Sequence, residues 1–289
     1  MKLMLGTVQF GQNYGVANTL GIIKEDSALK ILSYASSVGI KWLDTAANYG
    51  TSEEIIGKIS IREFDVVTKL PAIHNEIDDV NKWVTEHFKS SVKKLNISGE
   101  VGGILFHNPD DLFQKYGDEL LMSVMNLKKQ GLVRAIGVSI YNPNTLKNIL
   151  NKFKPDIVQV PYNIFDQRIK TSGWLQKLID NNIEIHARSV FLQGLLLMDP
   201  NNLPNYFINW KNLILKWYKY IATRNITPLE AALNFVYTEE GITKVVVGVD
   251  SLIQLKQIVN ALNKCNFYNE FAQFASDDIR LIEPFRWES

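Results

Sequence analysis

Short apolar runs alternate with longer stretches whose apolar positions recur every three or four residues, almost from one end of the chain to the other. The short runs read as strands and the periodic stretches as amphipathic helices. Eight strands are predicted: Leu3–Phe10, Ile40–Asp44, Phe64–Lys69, Val101–His107, Val133–Ser139, Asp156–Tyr162, Ile183–Ser189 and Thr243–Gly248. Each is followed by a helical pattern. The first helix should be capped by Asp26 and Ser27, carry Leu29, Leu32, Ala35 and Val38 on its apolar face, and stop at Gly39. Further helices are expected at Ser52–Lys58, Asp78–Leu95, Gly117–Gln130, Asn144–Lys152, Gly173–Asn181, Trp210–Arg224, Pro228–Glu239 and Ser251–Asn263. The second of these carries Val80, Val84, Phe88 and Val92 on one stripe.

The strand runs are apolar along most of their length, as strands covered on both faces should be. Repeated βα units imply a parallel sheet with right-handed crossovers. Eight of them close into a barrel, so the expected fold class is α/β, a (β/α)8 TIM barrel. An open doubly wound sheet would call for a glycine-rich phosphate turn of the form G-x-G-x-x-G, which the sequence lacks. No linker or change of composition interrupts the 289 residues, and one barrel domain spanning 1–289 is expected.

In such a barrel, chemistry belongs at the carboxyl ends of the strands. Those ends are conspicuously polar here. Run two finishes in Asp44, run three in Lys69, run four in His107 and run five in Ser139. Run six carries Gln159, and run seven carries Arg188 and Ser189. Each alone has an ordinary explanation, such as a helix cap, a turn or a snorkelling lysine. Their convergence on one barrel mouth is what packing does not explain.

Composition narrows the function without naming it. The chain is 46% hydrophobic and 21% charged with a formal net charge of +1, which gives no electrostatic reason to expect nucleic acid or a membrane as partner. A single cysteine, Cys265, leaves no intrachain disulfide and no thiolate cluster for zinc, and no metal site is expected. Met1–Thr7 lacks a signal-peptide apolar run and no segment has the length of a membrane span, so a cytoplasmic location is expected.

Gly39–Gly50, including Asp44 and Tyr49, together with Ser52–Gly57, resembles the signature of the aldo-keto reductase superfamily in its bacterial form. Val67–Lys69, Leu105–Asp110, Gly131–Ser139 and Val158–Asn163 resemble the same family's later strands, in order and across nearly the whole chain. The resemblance implies NAD(P)-dependent reduction of an aldehyde or ketone, with Tyr49 as acid/base and Asp44, Lys69 and His107 in support. The chemistry agrees. Carbonyl reduction needs a hydride, which the nicotinamide supplies, and a proton, which a phenol can supply if a nearby cation stabilises the phenolate. Lys69 is the expected cation, held by Asp44. His107 would hydrogen-bond the carbonyl oxygen or relay a proton through Tyr49.

Cofactor contacts implied by the resemblance are Gly6, Thr7, Asp44, Ser139, Gln159, Arg188, Ser189, Phe191, Gly194, Gly248, Ser251 and Gln254. Asn163 is a further candidate near the nicotinamide. NADP(H) is the family's usual cofactor, with NAD(H) the alternative. The chain departs from the family at four cofactor-side positions. Ile140 stands where an asparagine is common. Arg188 replaces a stacking aromatic, so it would contact an acidic substrate or the pyrophosphate, or else make a salt bridge in the barrel mouth. Val249 and Leu255 stand where a lysine and an arginine often clamp a 2′-phosphate, and Asp250 would oppose one; Lys256 is the nearby cation.

The substrate is expected to be a small carbonyl compound, of sugar-like polarity, because Gln9–Asn18, Asn48, His74, Asn108 and Arg188 would line its pocket. Pro284–Trp287 would form either a lid or an outer packing anchor. The protein is expected as a monomer or small homo-oligomer. The alternative function is a regulatory or sensor barrel that binds cofactor with little turnover; a cofactor-free isomerase or lyase is disfavoured.

Overall fold

The computed structural model describes residues 1–59, 63–74, 76–262 and 270–287. Cys265 and Lys264 therefore lie outside the described residues. Eight parallel strands, β1 (Leu3–Gly6), β2 (Trp42–Asp44), β3 (Asp65–Leu70), β4 (Gly103–Phe106), β5 (Ile136–Ser139), β6 (Ile157–Pro161), β7 (Glu184–Arg188) and β8 (Ile242–Gly248), pair in sequence order. The β1–β8 pairing, Leu3 with Val245 through Gly6 with Gly248, closes the barrel. The expected (β/α)8 architecture is the observed one.

Helices α1 (Glu25–Ser37), α2 (Ser52–Gly57), α3 (Val80–Leu95), α4 (Gly117–Lys129), α5 (Leu146–Lys152), α6 (Arg168–Thr171), α7 (Trp174–Asp180), α8 (Lys211–Ala222), α9 (Pro228–Tyr237), α10 (Leu252–Leu262) and α11 (Ile279–Ile282) complete the alternation. Some ends differ from expectation. In α1, Lys24 occupies the cap position and makes no side-chain cap bond, while Asp26 lies in the first turn. There its carboxylate favours the positive end of the helix dipole instead of closing it. The buried face of α1 is Ala28, Ile31, Leu32 and Ala35, with Leu29 and Val38 on its flank. Asp79 does cap α3, accepting from the backbone N–H of Lys82 at 2.8 Å. Run one ends at Gly6, because Val8–Phe10 turns into a 3-10 helix.

The side-chain period of two along each strand divides the molecule into two apolar regions. Leu5, Leu43, Val66, Ile104, Val138, Val160, Ala187 and Val247 face outward and pack with the helices. Met4, Val67, Leu105, Ile157 and Val246 form a separate cluster inside the barrel, with Trp42 and Ala135 packed against it. His186 is fully buried, its ring edge-on to Trp42 at 6.4 Å between centroids. Continuing the same alternation towards the carboxyl ends brings Gly6, Asp44, Lys69, Ser139, Gln159, Arg188 and Gly248 inward. The packed apolar layer is therefore the floor of a polar mouth.

Beyond the barrel, α8, the segment Leu192–Leu197 and the C-terminal segment build a third apolar cluster around Phe165, Phe207, Trp217 and Phe274. Trp287 packs on Phe207 and donates to the carbonyl of Leu281 at 3.1 Å, which makes it an outer anchor. Phe285 instead lies edge-on to Tyr141 at 4.6 Å, on the rim of the mouth. No helix among the described residues is long and apolar enough to cross a membrane.

Candidate active site

Asp44 and Lys69 end adjacent strands, and their register sets the ammonium beside the carboxylate. Lys69 Nζ donates to both Asp44 oxygens at 2.9 Å and to the carbonyl of Thr45 at 2.8 Å. Both side chains are nearly excluded from solvent, at 1% and 7% exposure. An ammonium has three N–H groups, and these three acceptors use all of them. The contact from Lys69 to Tyr49 Oη, at 3.4 Å, is therefore a weak fourth. Thr7 braces the pair from below, its hydroxyl donating to the carbonyl of Asp44 and accepting from Ser52.

Tyr49 follows β2 in a turn, with His107, at the end of β4, edge-on to its ring at 5.8 Å between centroids. Burial pushes the Tyr49 phenol well above its ordinary range, and the Asp44 carboxylate adds to the effect; Arg188 opposes both. The sequence suggests a phenol acidified by Lys69. In the structure the ammonium's charge is spent on Asp44, so Tyr49 holds its proton firmly before any ligand is present. His107 is pushed down to about 4 by burial, with Lys69 and Arg188 acting in the same direction. It is thus a neutral imidazole at physiological pH, able to donate one N–H but not to act as an imidazolium.

Gln159 continues the network. Its amide donates to Asp44 Oδ1 at 2.6 Å, and its oxygen accepts from Ser139 at 3.2 Å. A hydrogen-bonded chain thus runs from Ser139 through Gln159, Asp44 and Lys69 to Tyr49.

A cavity of about 1000 Å³ opens above this chain. Gly6, Thr7, Asp44, Tyr49, His107, Ser139 and Gln159 line it beside this chain, and Arg188, Ser189, Phe191, Gly194, Gly248 and Gln254 continue it across the β7 and β8 loops. Lys69 lies beneath this surface. Ser251 does not line the cavity; its hydroxyl accepts from the backbone N–H of Gln254 and caps α10. Asn163 is also elsewhere. Its Oδ1 accepts from the N–H groups of Phe165 and Asp166, folding the loop after β6. Nor are Asn48, His74 and Asn108 among the lining residues. Asn108 is held by Asp111 at 2.7 Å.

The loop after β7 is bent hard around the cavity. Ser189, Leu192 and Gln193 all have positive φ, a conformation that costs non-glycine residues energy and that concentrates at functional sites. Gly194 must be glycine for two reasons: its φ is +91°, and a Cβ would come within 2.5 Å of Ala17. Through this contact the β7 loop meets the loop after β1, where the N–H of Ala17 reaches the carbonyl of Gln193 at 3.4 Å.

The departures from the family pattern now have positions. Ile140 is buried, and its carbonyl accepts from Arg188 Nη2 at 3.0 Å. Arg188 makes no salt bridge among the described residues; its guanidinium lies over the Tyr141 ring at 4.2 Å. Val249 and Leu255 are both buried in the core, and Lys256 lies over Tyr34 of α1. Asp250, in contrast, lines the cavity. One of its carboxylate oxygens, Oδ1, is buried without a hydrogen-bond partner. Sequence reading missed Tyr141, Asp199, Glu230, Gln257 and Asn260, which also line the cavity. The last two are polar positions on α10, a signal hidden by the helix's ordinary amphipathic pattern. Among the described residues no group of three acidic, histidine or cysteine side chains could hold a metal ion.

The profile of the Aldo/keto reductase family matches residues 2–275. Relatives include the "Uncharacterized oxidoreductase YqkF" of Bacillus subtilis (strain 168), 26% identical over 264 residues that cover 83% of each chain. The "L-glyceraldehyde 3-phosphate reductase" of Escherichia coli (strain K12) is 22% identical over 88% of this chain and 83% of its own. The "NADH-specific methylglyoxal reductase" of the same organism is 23% identical over 79% and 80%. Among solved structures, the holo form of aldo-keto reductase AKR11C1 from Bacillus halodurans superposes with a TM-score of 0.76 at 22% identity, over 94% of this chain and 90% of that one. The chain belongs to the aldo/keto reductase family and is an NAD(P)-dependent oxidoreductase.

Proposed function

We propose that the protein reduces a small aldehyde or ketone to the alcohol, with Tyr49 as proton donor and NADH as the preferred hydride source. The observation that carries this reading is the Asp44–Lys69–Tyr49 chain opening beside His107 into a cavity about 1000 Å³ in volume. A carbonyl oxygen placed against Tyr49 Oη would accept a hydrogen bond from the phenol and a second from neutral His107. Both bonds strengthen as negative charge develops on that oxygen. The same developing charge draws the phenolic proton; Arg188 favours the resulting phenolate electrostatically, while Lys69 offsets the adverse charge of Asp44. Burial lowers the proton affinity of Lys69, and the Asp44 carboxylate opposes that shift.

The lining fits a dinucleotide. Ser139 and Gln159 present polar groups to one end, Ser189, Phe191 and Gly194 form the wall beyond, and Gln254, Gln257 and Asn260 lie at the far end. When bound there, the nicotinamide supplies the hydride. The preference for NADH rests on the far end. Asp250 and Glu230 line it, while Val249, Leu255 and Lys256 place no cation there. A ribose 2′-hydroxyl can donate to a carboxylate oxygen such as Asp250 Oδ1; a 2′-phosphate would meet like charge with no Arg or Lys of the described β8 and α10 lining to offset it.

The test is a pair of fluorescence titrations with NADH and NADPH, followed by turnover of short aldehydes. Saturable quenching and cofactor oxidation are expected with wild type. Tyr49→Phe should retain cofactor binding and lose roughly 100- to 10,000-fold in kcat. Turnover undiminished by Tyr49→Phe would refute the proton-donor assignment, and binding without turnover of any aldehyde would favour a sensor barrel.

A further inference from the structure

Arg188 is the one described arginine without a carboxylate. Arg134 is paired with Asp65, Arg168 with Asp166 and Glu283, Arg224 with Glu270, Arg280 with Asp278 and Arg286 with Glu283. Arg188 is half-buried and faces the cavity, and its hydrogen-bond partners among the described residues are neutral: the Ile140 carbonyl at 3.0 Å and the Ser189 hydroxyl at 3.2 Å. A guanidinium has five N–H groups. Two are used, and three have no acceptor among the described residues.

The group is also firmly held. It stacks on Tyr141, whose other contacts are Phe285 and, through its backbone carbonyl, Arg168 Nη2 at 3.1 Å. Arg168 is itself fixed by Asp166 and Glu283. The platform thus arranges the unused N–H groups before a ligand arrives, which removes part of the ordering cost of binding. The catalytic end of the cavity carries a net positive charge. Asp44 and Lys69 cancel, His107 is neutral, and Arg188 remains. Leaving a cation half-buried with no anion is costly unless a ligand supplies one.

We propose that Arg188 anchors an anionic substrate: a carbonyl compound bearing a carboxylate or a phosphate monoester, whose charge seats on the guanidinium while its carbonyl oxygen meets Tyr49 and His107. This rests on the reductase reading and adds the substrate class to it. A planar fork of N–H donors suits both anions, since each offers two oxygens side by side.

The experiment uses the full chain with NADH and two matched pairs: succinic semialdehyde against butanal, and glyceraldehyde 3-phosphate against glyceraldehyde. Wild type should favour the charged member of at least one pair by roughly tenfold or more in kcat/KM. Arg188→Gln should raise KM for that member roughly ten- to a hundredfold and KM for its neutral partner by far less, while any loss of kcat from weaker electrostatic support of Tyr49 should fall on both members alike. Arg188→Lys should restore part of the loss, because the charge returns without the fork. The pair that responds more identifies the anion. Cofactor titration of each variant reports whether the site remains intact. Equal use of charged and neutral members by wild type would overturn the proposal while leaving the reductase intact. So would an Arg188→Gln variant that weakens NADH binding and affects both members alike, since that marks a cofactor contact. Absence of NADH oxidation with all four compounds would remove the reductase reading and this proposal together.

Discussion

Replacing Lys69 by Met tests the buried pair at the base of the site. Methionine has nearly the length of the lysine stem, so packing is largely kept while the ammonium is lost. Asp44 would lose both 2.9 Å bonds and keep one, from Gln159 at 2.6 Å. Removing one partner of a buried ion pair leaves an uncompensated charge and costs about 3–5 kcal/mol. For a chain of this size each kcal/mol shifts the melting temperature by roughly 2–3 °C, so a fall of roughly 6–15 °C is expected. The double variant Lys69→Met with Asp44→Asn removes the stranded charge, and its amide oxygen can still accept from Gln159. It should recover more than half of the loss, a positive coupling of at least about 1 kcal/mol. The assay is thermal melting by circular dichroism at pH 7, with cofactor titration to show that the cavity persists. Lys69→Met melting within about 2 °C of wild type would refute the reasoning. A double variant no more stable than the single would do so as well.

Other expectations follow from the same geometry. Tyr49→Phe, which removes only an oxygen at the cavity surface, should melt within about 2 °C of wild type despite its kinetic defect, so stability and turnover separate at Tyr49 and coincide at Lys69. Wild type should bind NADH more tightly than NADPH, and Asp250→Ser should narrow that ratio by roughly tenfold; a strong NADPH preference in wild type would show that the β8 loop has been misread. His107 has a folded pKa of about 4 against an ordinary 6.5, so below about pH 6.5 the unfolded chain binds the extra proton and the folded chain does not. Stability should therefore fall as pH drops from about 6.5 towards 4, and His107→Gln should flatten part of that slope in denaturant titrations. The remainder should come from fully buried His186, which burial shifts in the same direction.

The barrel was legible because two periodicities alternate cleanly, and each strand run lies within three residues of the observed element, except the first, which overran β1 by four. The polar cluster at the mouth was legible because the inward residue at the end of a strand has no apolar reason to be charged. Asp44, Lys69 and His107 show this directly. What the sequence did not disclose was how the charges divide among themselves. Lys69 could be named as a partner of Tyr49, but only the three short contacts to Asp44 and Thr45 show that its donors are already used. Loop geometry was similarly hidden. Asn163, Asn108 and Ser251 are polar and near the right strand ends, yet they are occupied in folding their own loops or capping a helix. Nothing in a linear sequence distinguishes a polar side chain that turns back on its backbone from one that reaches into a cavity.

The inside–outside alternation along the strands has a consequence for how this chain can tolerate change. A single-residue insertion or deletion within β7 would exchange Ala187 for Arg188 at the mouth and drive the guanidinium into the helix-facing core. The same slip in β3 would bury Lys69 against α2 and α3 and turn Thr68 inward. Length variation should therefore be confined to the loops, where it can reshape the pocket, while within a strand one codon gained or lost would remove activity and core packing in a single step.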